Sequence, residues 1–403
     1  MSRPNQFLSP EGDIEEYFVD EYWLIDQYVG DQLWTWGLNT LGAPLGINNS
    51  TSRSTPVTTF AGGTNWEEVR CGLDHNTAIK TDGTLWTWGT GTSGQLGNAT
   101  FTTVSTPVTT FAGGTNWKRV SGGGFGTAAI KTDGTLWVWG TAGFGKLGHG
   151  FTTGNRSTPI TTFAGGTNWK QVSAGRLHTA AIKTDGTLWI WGYVVDGALG
   201  NAVETITTGN RSTPITTFAG GNNWKQVSCG NDFTAAIKTD GTLWMWGRGS
   251  DGRLGNGVTT SNRSTPVTTF AGGTNWKQVN CGDAHAAAIK TDGTLWVWGT
   301  GSRGALGNGV TTGSISTPVT TFAGGTNWKQ VHCSLDTTAA IKTNGTLWTW
   351  GYNSGGKLGT NDVTNRSTPV TTFAGGTNWK QVASGDFYLA AVQAGINAEY
   401  PLS

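Results

Sequence analysis

The chain has 403 residues with 64 glycines, 22 tryptophans and 13% charged residues, a composition that excludes a disordered chain and a charged helical array. Its net charge of +1 excludes a body built throughout to hold polyanions, yet the charge is uneven. Residues 1–31 hold eight acidic side chains against Arg3, a local net of −7, which leaves +8 on the remainder.

The first element, residues 1–30, is an acidic aromatic arm. In "SPEGDIEEYFVDEYWLIDQYV" (9–29) Ser9 can cap a helix, Pro10 suits its first turn, and Glu11 and Asp13 suit its dipole. Ile14, Phe18, Tyr22, Ile25 and Val29 then share one face at helical period, which predicts a short amphipathic helix. The aromatic and β-branched content leaves a strand as the alternative. Such a stripe must cover something. It docks either on the chain's own basic body or on another subunit, through which the protein would attach or oligomerise.

From residue 31 to 395 the chain repeats. "LWxWG" occurs seven times, first at 33–37 and last at 347–351, and "TP[VI]TTF" followed by "NW" recurs with it. Each unit predicts four short strands. Strand A is "NWKQV" and strand B is "TAAIKT". A "DG" turn leads into strand C, "TLWVWG", and a Gly-rich loop leads to strand D, "TPVTTF", with its proline at the strand start. The two tryptophans of strand C lie two apart and face one side of the sheet, where each would remove roughly 150–250 Å² from water. Four-stranded units in this number close into an all-β, seven-bladed propeller, which hides its sheet edges by going round. The chain enters at a strand C ("DQLWTWG", 31–37) and ends on a strand A ("NWKQV", 378–382) and a strand B ("YLAAVQ", 388–393), so the two termini should complete one shared blade. Residues 396–403 form a short tail.

The segment "CGLDHNTAIKTDGTLWTWGTGTSGQLG" (71–97) resembles the regulator of chromosome condensation repeat family in its Cys-Gly, its His, its "DG…WG" and its "G-x-LG". The resemblance covers roughly residues 31–395. It implies a seven-bladed propeller with mostly protein-binding roles: nucleotide exchange on a small GTPase, parts of ubiquitin ligases, inhibition of a bacterial β-lactamase, ultraviolet-B sensing in plants. The photoreceptor's light-sensing Trp would fall in the A–B loop, and here the A–B loops ("GLDHN", "GRLHT", "GDAHA") hold none. Kelch repeats are the nearest alternative. WD repeats fit less well, because Gly and not Asp follows the Trp.

No residue set stands apart from the repeat as a catalytic centre. Cys71, Cys229, Cys281 and Cys333 share one repeat position, one per unit, and read as free buried thiols. His75, His178 and His285 also share one position and read as structural, since ligands of one metal ion would have to converge. The expectation is a non-enzyme with no metal and no cofactor. Twelve of the 14 lysines fall at two repeat positions, as in Lys118/Lys131, and read as a solvated face. There is no signal-peptide pattern and no apolar run of 18 residues, so cytoplasmic synthesis without a membrane span is expected.

The units can be compared with one another. The B–C and D–A turns on one face are nearly uniform, whereas the A–B and C–D loops on the other vary. Function concentrates on variable loops of a rigid scaffold. The predicted partner contacts are Phe125, Phe144, Arg176, Tyr193, Arg248, Arg253, Phe387 and Tyr388. Low charge, near-identical repeats and an acidic aromatic arm favour a structural or display scaffold attached by its arm to a larger assembly, such as a virus particle or surface appendage. The alternatives are a soluble adaptor for a protein partner, GTPase-regulator-like or enzyme-inhibitor-like, and a glycan-binding propeller. No specific nucleic-acid partner is expected.

Overall fold

The computed structural model describes residues 6–8, 14–16, 30–40, 42–202 and 210–395. Seven four-stranded antiparallel sheets succeed one another as blades. Blades 1 to 6 comprise residues 66–109, 117–161, 169–216, 224–268, 276–320 and 328–371, each in the order A-B-C-D from the axis outward. Blade 7 joins Trp379–Ser384 and Tyr388–Gln393 from the end of the chain to Gln32–Gly37 and Arg53–Thr58 from its beginning. Its closing register runs from Gln32 opposite Gln393 to Gly37 opposite Tyr388.

The repeated tryptophans make the core. Seven apolar clusters each fill one gap between blades. In one of them Ile79 and Leu85 of blade 1 meet Trp117, Val120, Ala129 and Trp139 of blade 2. The second Trp of every "LWxWG" is fully buried, as is the strand A Trp of nearly every blade. The first Trp of the pair is only half-buried, unlike the expectation for a strand packed on both faces. It stands edge-on to the strand A Trp (Trp66–Trp86, 6.1 Å), and the lysine that ends strand B lies over both rings: Lys80 Nζ is 4.7 and 4.6 Å from their centroids. The same cation–π stack recurs in blades 2 to 6, so half of the repeat lysines are held by indoles.

The "G-x-LG" loop joins each blade to the next. Its second residue offers a carbonyl: Lys146 O accepts from Trp191 Nε1 (2.8 Å) and Thr179 Oγ1 (2.9 Å) of blade 3. Its leucine enters the gap beside them. The strand D proline lies mid-strand and not at the strand start, for example Pro159 within Arg156–Thr161. This is tolerated because D is the outer edge strand and its register slips between Val138 and Gly140.

Within the arm the described residues are Gln6–Leu8 and Ile14–Glu16, paired as a two-stranded antiparallel ribbon. At Ile14 the strand alternative therefore replaces the expected helix. Strand pairing satisfies the backbone there. Phe18, Tyr22, Ile25 and Val29, the rest of the predicted docking stripe, lie outside the described residues, as does the tail from 396.

Candidate functional site: the loop face and the central channel

Strand A lines the axis of the ring, so its alternate residues face a central channel. The channel is a polar funnel of about 780 Å³. Two belts of side chains stitch neighbouring A strands together around it. In the first, the glutamines of "NWKQV" pair with the next blade's backbone: Gln226 Nε2 donates to Val279 O and Gln226 Oε1 accepts from Val279 N, both 3.1 Å. Gln171 and Gln278 do the same toward Val227 and Val331. In the second, Ser121, Ser173, Ser228, Asn280 and His332 each accept an N–H from the following blade. His332, which stands alone in the sequence, is thus one member of a structural belt. Glu68 and Arg119 interrupt the glutamine belt. Burial pushes the Glu68 carboxyl up, opposed by Arg70 at 3.0 Å and Arg119 at 3.7 Å.

The A–B loops close one end of the funnel. Arg176 of blade 3 reaches past blade 4 to Asp283 of blade 5 (3.5 Å). Beneath it three cations at the "G-x-LG" position bind the next blade's A–B loop. Lys146 Nζ donates to Arg176 O (3.3 Å), Arg253 to Asp283 O (3.0 Å), and Lys357 Nζ to Asp386 O (2.9 Å) as well as to Ser334 Oγ of its own blade (2.9 Å). Burial lowers the Lys146 and Lys357 amines to about 7 and about 8. Burial, with Asp283 alongside, raises the Asp386 carboxyl to about 7.

The shared histidine position is explained by packing. Nε2 of His75, His178 and His285 lies 2.8–2.9 Å from a threonine hydroxyl of the next blade. Thr127 Oγ1 already donates to Gln95 O, so the His75 ring must donate through Nε2, which fixes the neutral tautomer. Burial holds these rings at about 3 to 4. The Cys-Gly before the histidine has the same origin: a Cβ on Gly72 would lie 2.2 Å from His75 Cε1. Among the described residues, no group of three or more His, Cys, Asp or Glu is placed to hold a metal ion. The four cysteines are free and buried, and burial raises the thiols of Cys71, Cys229 and Cys333 to about 12. Such groups are poor nucleophiles.

The predicted contact residues separate into two sets. Phe125 and Phe144 are exposed, and Phe144 stacks edge-on against half-buried Tyr193 at 5.0 Å. Arg248, also exposed, pairs with Asp232 at 3.5 Å; Arg176 is half-buried where it lines the funnel, and Phe387 is half-buried in the A–B loop of blade 7. Arg253 and Tyr388 are not at the surface. Arg253 is 4% exposed, lies over the Phe233 ring and supports the next A–B loop. Tyr388 is 0% exposed and takes the place of the histidine in blade 7, its hydroxyl donating to His75 O (2.7 Å). Both were predicted from loop position, which does not show that a long side chain turns inward. Sequence reasoning missed Arg303, which lies 4.0 Å over the Tyr352 ring and pairs with Asp336 (3.2 Å), and the exposed Phe101 and Phe151. All are departures from the repeat in the C–D loops, a signal already on the page.

The loop face also carries backbone strain. Phe144, Asp196, Asp251 and Arg303 occupy one repeat position with φ between 56° and 63°. Left-handed backbone is uncommon for a non-glycine residue and an outlier for a bulky aromatic.

The whole arrangement matches known proteins. Residues 153–397 fit the RCC1-like domain, and residues 66–95 and 82–130 each fit the regulator of chromosome condensation (RCC1) repeat. The chain belongs to the RCC1-like propeller family. It is 29% identical to the ultraviolet-B receptor UVR8 of Arabidopsis thaliana over 344 residues, 84% of this chain and 77% of the receptor. It is 30% identical to the mitochondrial RCC1 domain-containing protein RUG3 of the same plant, over 72% of this chain and 66% of that protein. It is 29% identical to human E3 ubiquitin-protein ligase HERC2 over 80% of this chain, which spans 7% of the ligase. Among solved structures it superposes on yeast RCC1 (Prp20) bound to Kap60 with a TM-score of 0.79 at 17% identity, covering 92% of this chain and 91% of that one. It superposes on human WBSCR16 with a TM-score of 0.77 at 20% identity, covering 91% of this chain and all of that one. These two likenesses concern the fold. Among the described residues no helix is long and apolar enough to cross a membrane.

Proposed function

We propose that the chain is a non-enzymatic protein-binding propeller that recognises its partner through the A–B and C–D loop face. The observation that carries this reading is Phe144: a bulky side chain held at φ 63°, 42% exposed, and braced by Tyr193. Such strain costs about 1–3 kcal/mol and persists where it serves a site. Elsewhere the same loop face presents Phe125, Phe151, Arg248 and Arg303, the aromatic and arginine chemistry of binding hot spots.

The relatives named above favour a binding adaptor over the display or virus-particle reading. Two structures of yeast Prp20 concern its complex with Kap60 and its binding properties to Gsp1p and histones. For this chain we carry over only the class of partner, a protein.

The test is quantitative capture with intact protein from the native source, comparing wild type with Phe144→Ala/Arg303→Ala on the loop face and Lys225→Gln/Lys277→Gln on the opposite face. A partner reduced at least tenfold by the first pair alone supports the reading. Loss by the second pair alone, with unchanged melting, overturns it.

A further inference from the structure

The two lysine positions of the repeat have different fates. The lysines that end strand B are held over indole rings. Those of strand A (Lys118, Lys170, Lys225, Lys277, Lys329 and Lys380) are all exposed where strand A begins, at the open end of the funnel. Lys118, Lys170, Lys225 and Lys277 line the polar cavity, and Lys329 and Lys380 hold the equivalent places in blades 6 and 7, with Glu67 in blade 1. Among the described residues, the salt bridges reach only one of them: Lys380 pairs with Asp31. Asp31 is 7% exposed, and its Oδ1 also accepts from Gly395 N (3.2 Å). This aspartate is where the N-terminal arm joins the propeller, so the arm is rooted on the lysine ring itself.

The arm has the complementary charge. Glu11, Asp13, Glu15, Glu16, Asp20, Glu21 and Asp26 precede that root, against Arg3. Ten residues of extended chain span about 35 Å, several times the ~10 Å width of a cavity of this volume. Tethering by a short segment holds the acids at roughly millimolar effective concentration over the ring. Like charges converging on low-dielectric walls focus the field that would draw them in.

We propose that the acidic segment 11–26 of the same chain occupies the lysine-ringed mouth of the channel. The arm then shields the lysine face, and the opposite loop face is left free for a protein partner. This inference stands apart from the loop-face reading, since it concerns the other end of the funnel.

The experiment is zero-length carbodiimide cross-linking of full-length chain, using an equal mixture of unlabelled and 15N-labelled protein. The expected products join Lys170, Lys225 or Lys277 to acids of segment 11–26 within one chain, both halves light or both heavy. Their yield should fall roughly tenfold in 1 M salt, where the Debye length is about 3 Å. Mixed light–heavy products would overturn the proposal in favour of a second copy, and absence of ring-to-arm products would overturn it outright. A second measurement is cleavage by a glutamate-specific protease. Lys170→Gln/Lys225→Gln/Lys277→Gln should speed cleavage at Glu11–Glu21 at least fivefold with melting unchanged. Equal rates would contradict the docking.

Discussion

Two glycines of the same blade test whether the repeat is conserved within the chain for backbone conformation or for space between blades. Gly148 closes "GKLG" with φ 64°, and a Cβ there would lie 2.6 Å from Trp191 Nε1. Gly165, in the D–A turn, has a similar φ of 53° but nothing within 4 Å of its Cβ site. Alanine at Gly165 therefore meets only the left-handed penalty, about 1–2 kcal/mol. Alanine at Gly148 meets that penalty and also pushes on a fully buried indole. Overpacking adds about 1–3 kcal/mol, and loss of the Trp191 Nε1 to Lys146 O hydrogen bond about 1–3 more. The expected totals are about 1–2 kcal/mol for Gly165→Ala and about 3–8 kcal/mol for Gly148→Ala. At about 2.1 cal/mol/K per residue of unfolding entropy, a propeller of this size loses roughly 1.3 °C per kcal/mol. Thermal unfolding followed by near-ultraviolet circular dichroism should show a fall of about 2 °C in the first variant and about 4–10 °C in the second. Equal shifts would refute the argument that the loop glycine is there to admit the neighbouring tryptophan.

The remaining predictions are shorter. Removing residues 378–403 deletes the strands that pair with Gln32–Gly37 and the Tyr388 hydroxyl bond to His75 O, and should abolish the cooperative melt; a truncated chain that melts like the full one would disprove ring closure by the termini. The buried histidines should lower stability as pH drops from 6.5 to 5. His75, His178, His285 and His332 are held by burial at about 3, 4, 4 and 3, so the folded state stays neutral while the unfolded chain takes up protons below its ordinary 6.5. Each contributes a slope approaching about 1.4 kcal/mol per pH unit. Asp386, raised to about 7, runs the other way, gaining stability as pH falls, as do Glu68, Asp74, Asp283 and Asp336, whose carboxyls burial also raises, so the histidine contribution is read from the difference between wild type and a histidine variant. Between pH 6.5 and 5 His285→Gln should lose less melting temperature than the wild type, and equal losses in the two would contradict a neutral buried ring at His285.

Period, strand order and ring closure were legible in the chain itself. Seven copies of two tryptophans at strand spacing, with turn residues between, admit little but four-stranded blades, and a start on strand C with an end on strands A and B dictates which strands must meet. Such local patterns are legible because a strand's side-chain alternation and a turn's glycine are properties of neighbouring residues. The Asp-Gly pair before strand C kept its turn, with Gly83 at φ 78°.

Tertiary structure decided what each repeated residue is for. Only the assembled ring shows that one lysine position is spent on indole faces and the other circles a channel, because that depends on which residues of different strands share a level. The same holds for Arg253 and Tyr388, which the sequence places in variable loops and the fold turns inward onto the next blade. A loop position sets where a backbone runs. The direction a long side chain takes is set by the carbonyls and hydroxyls of a neighbour some 30 or 300 residues away, such as Asp283 O for Arg253 and His75 O for Tyr388.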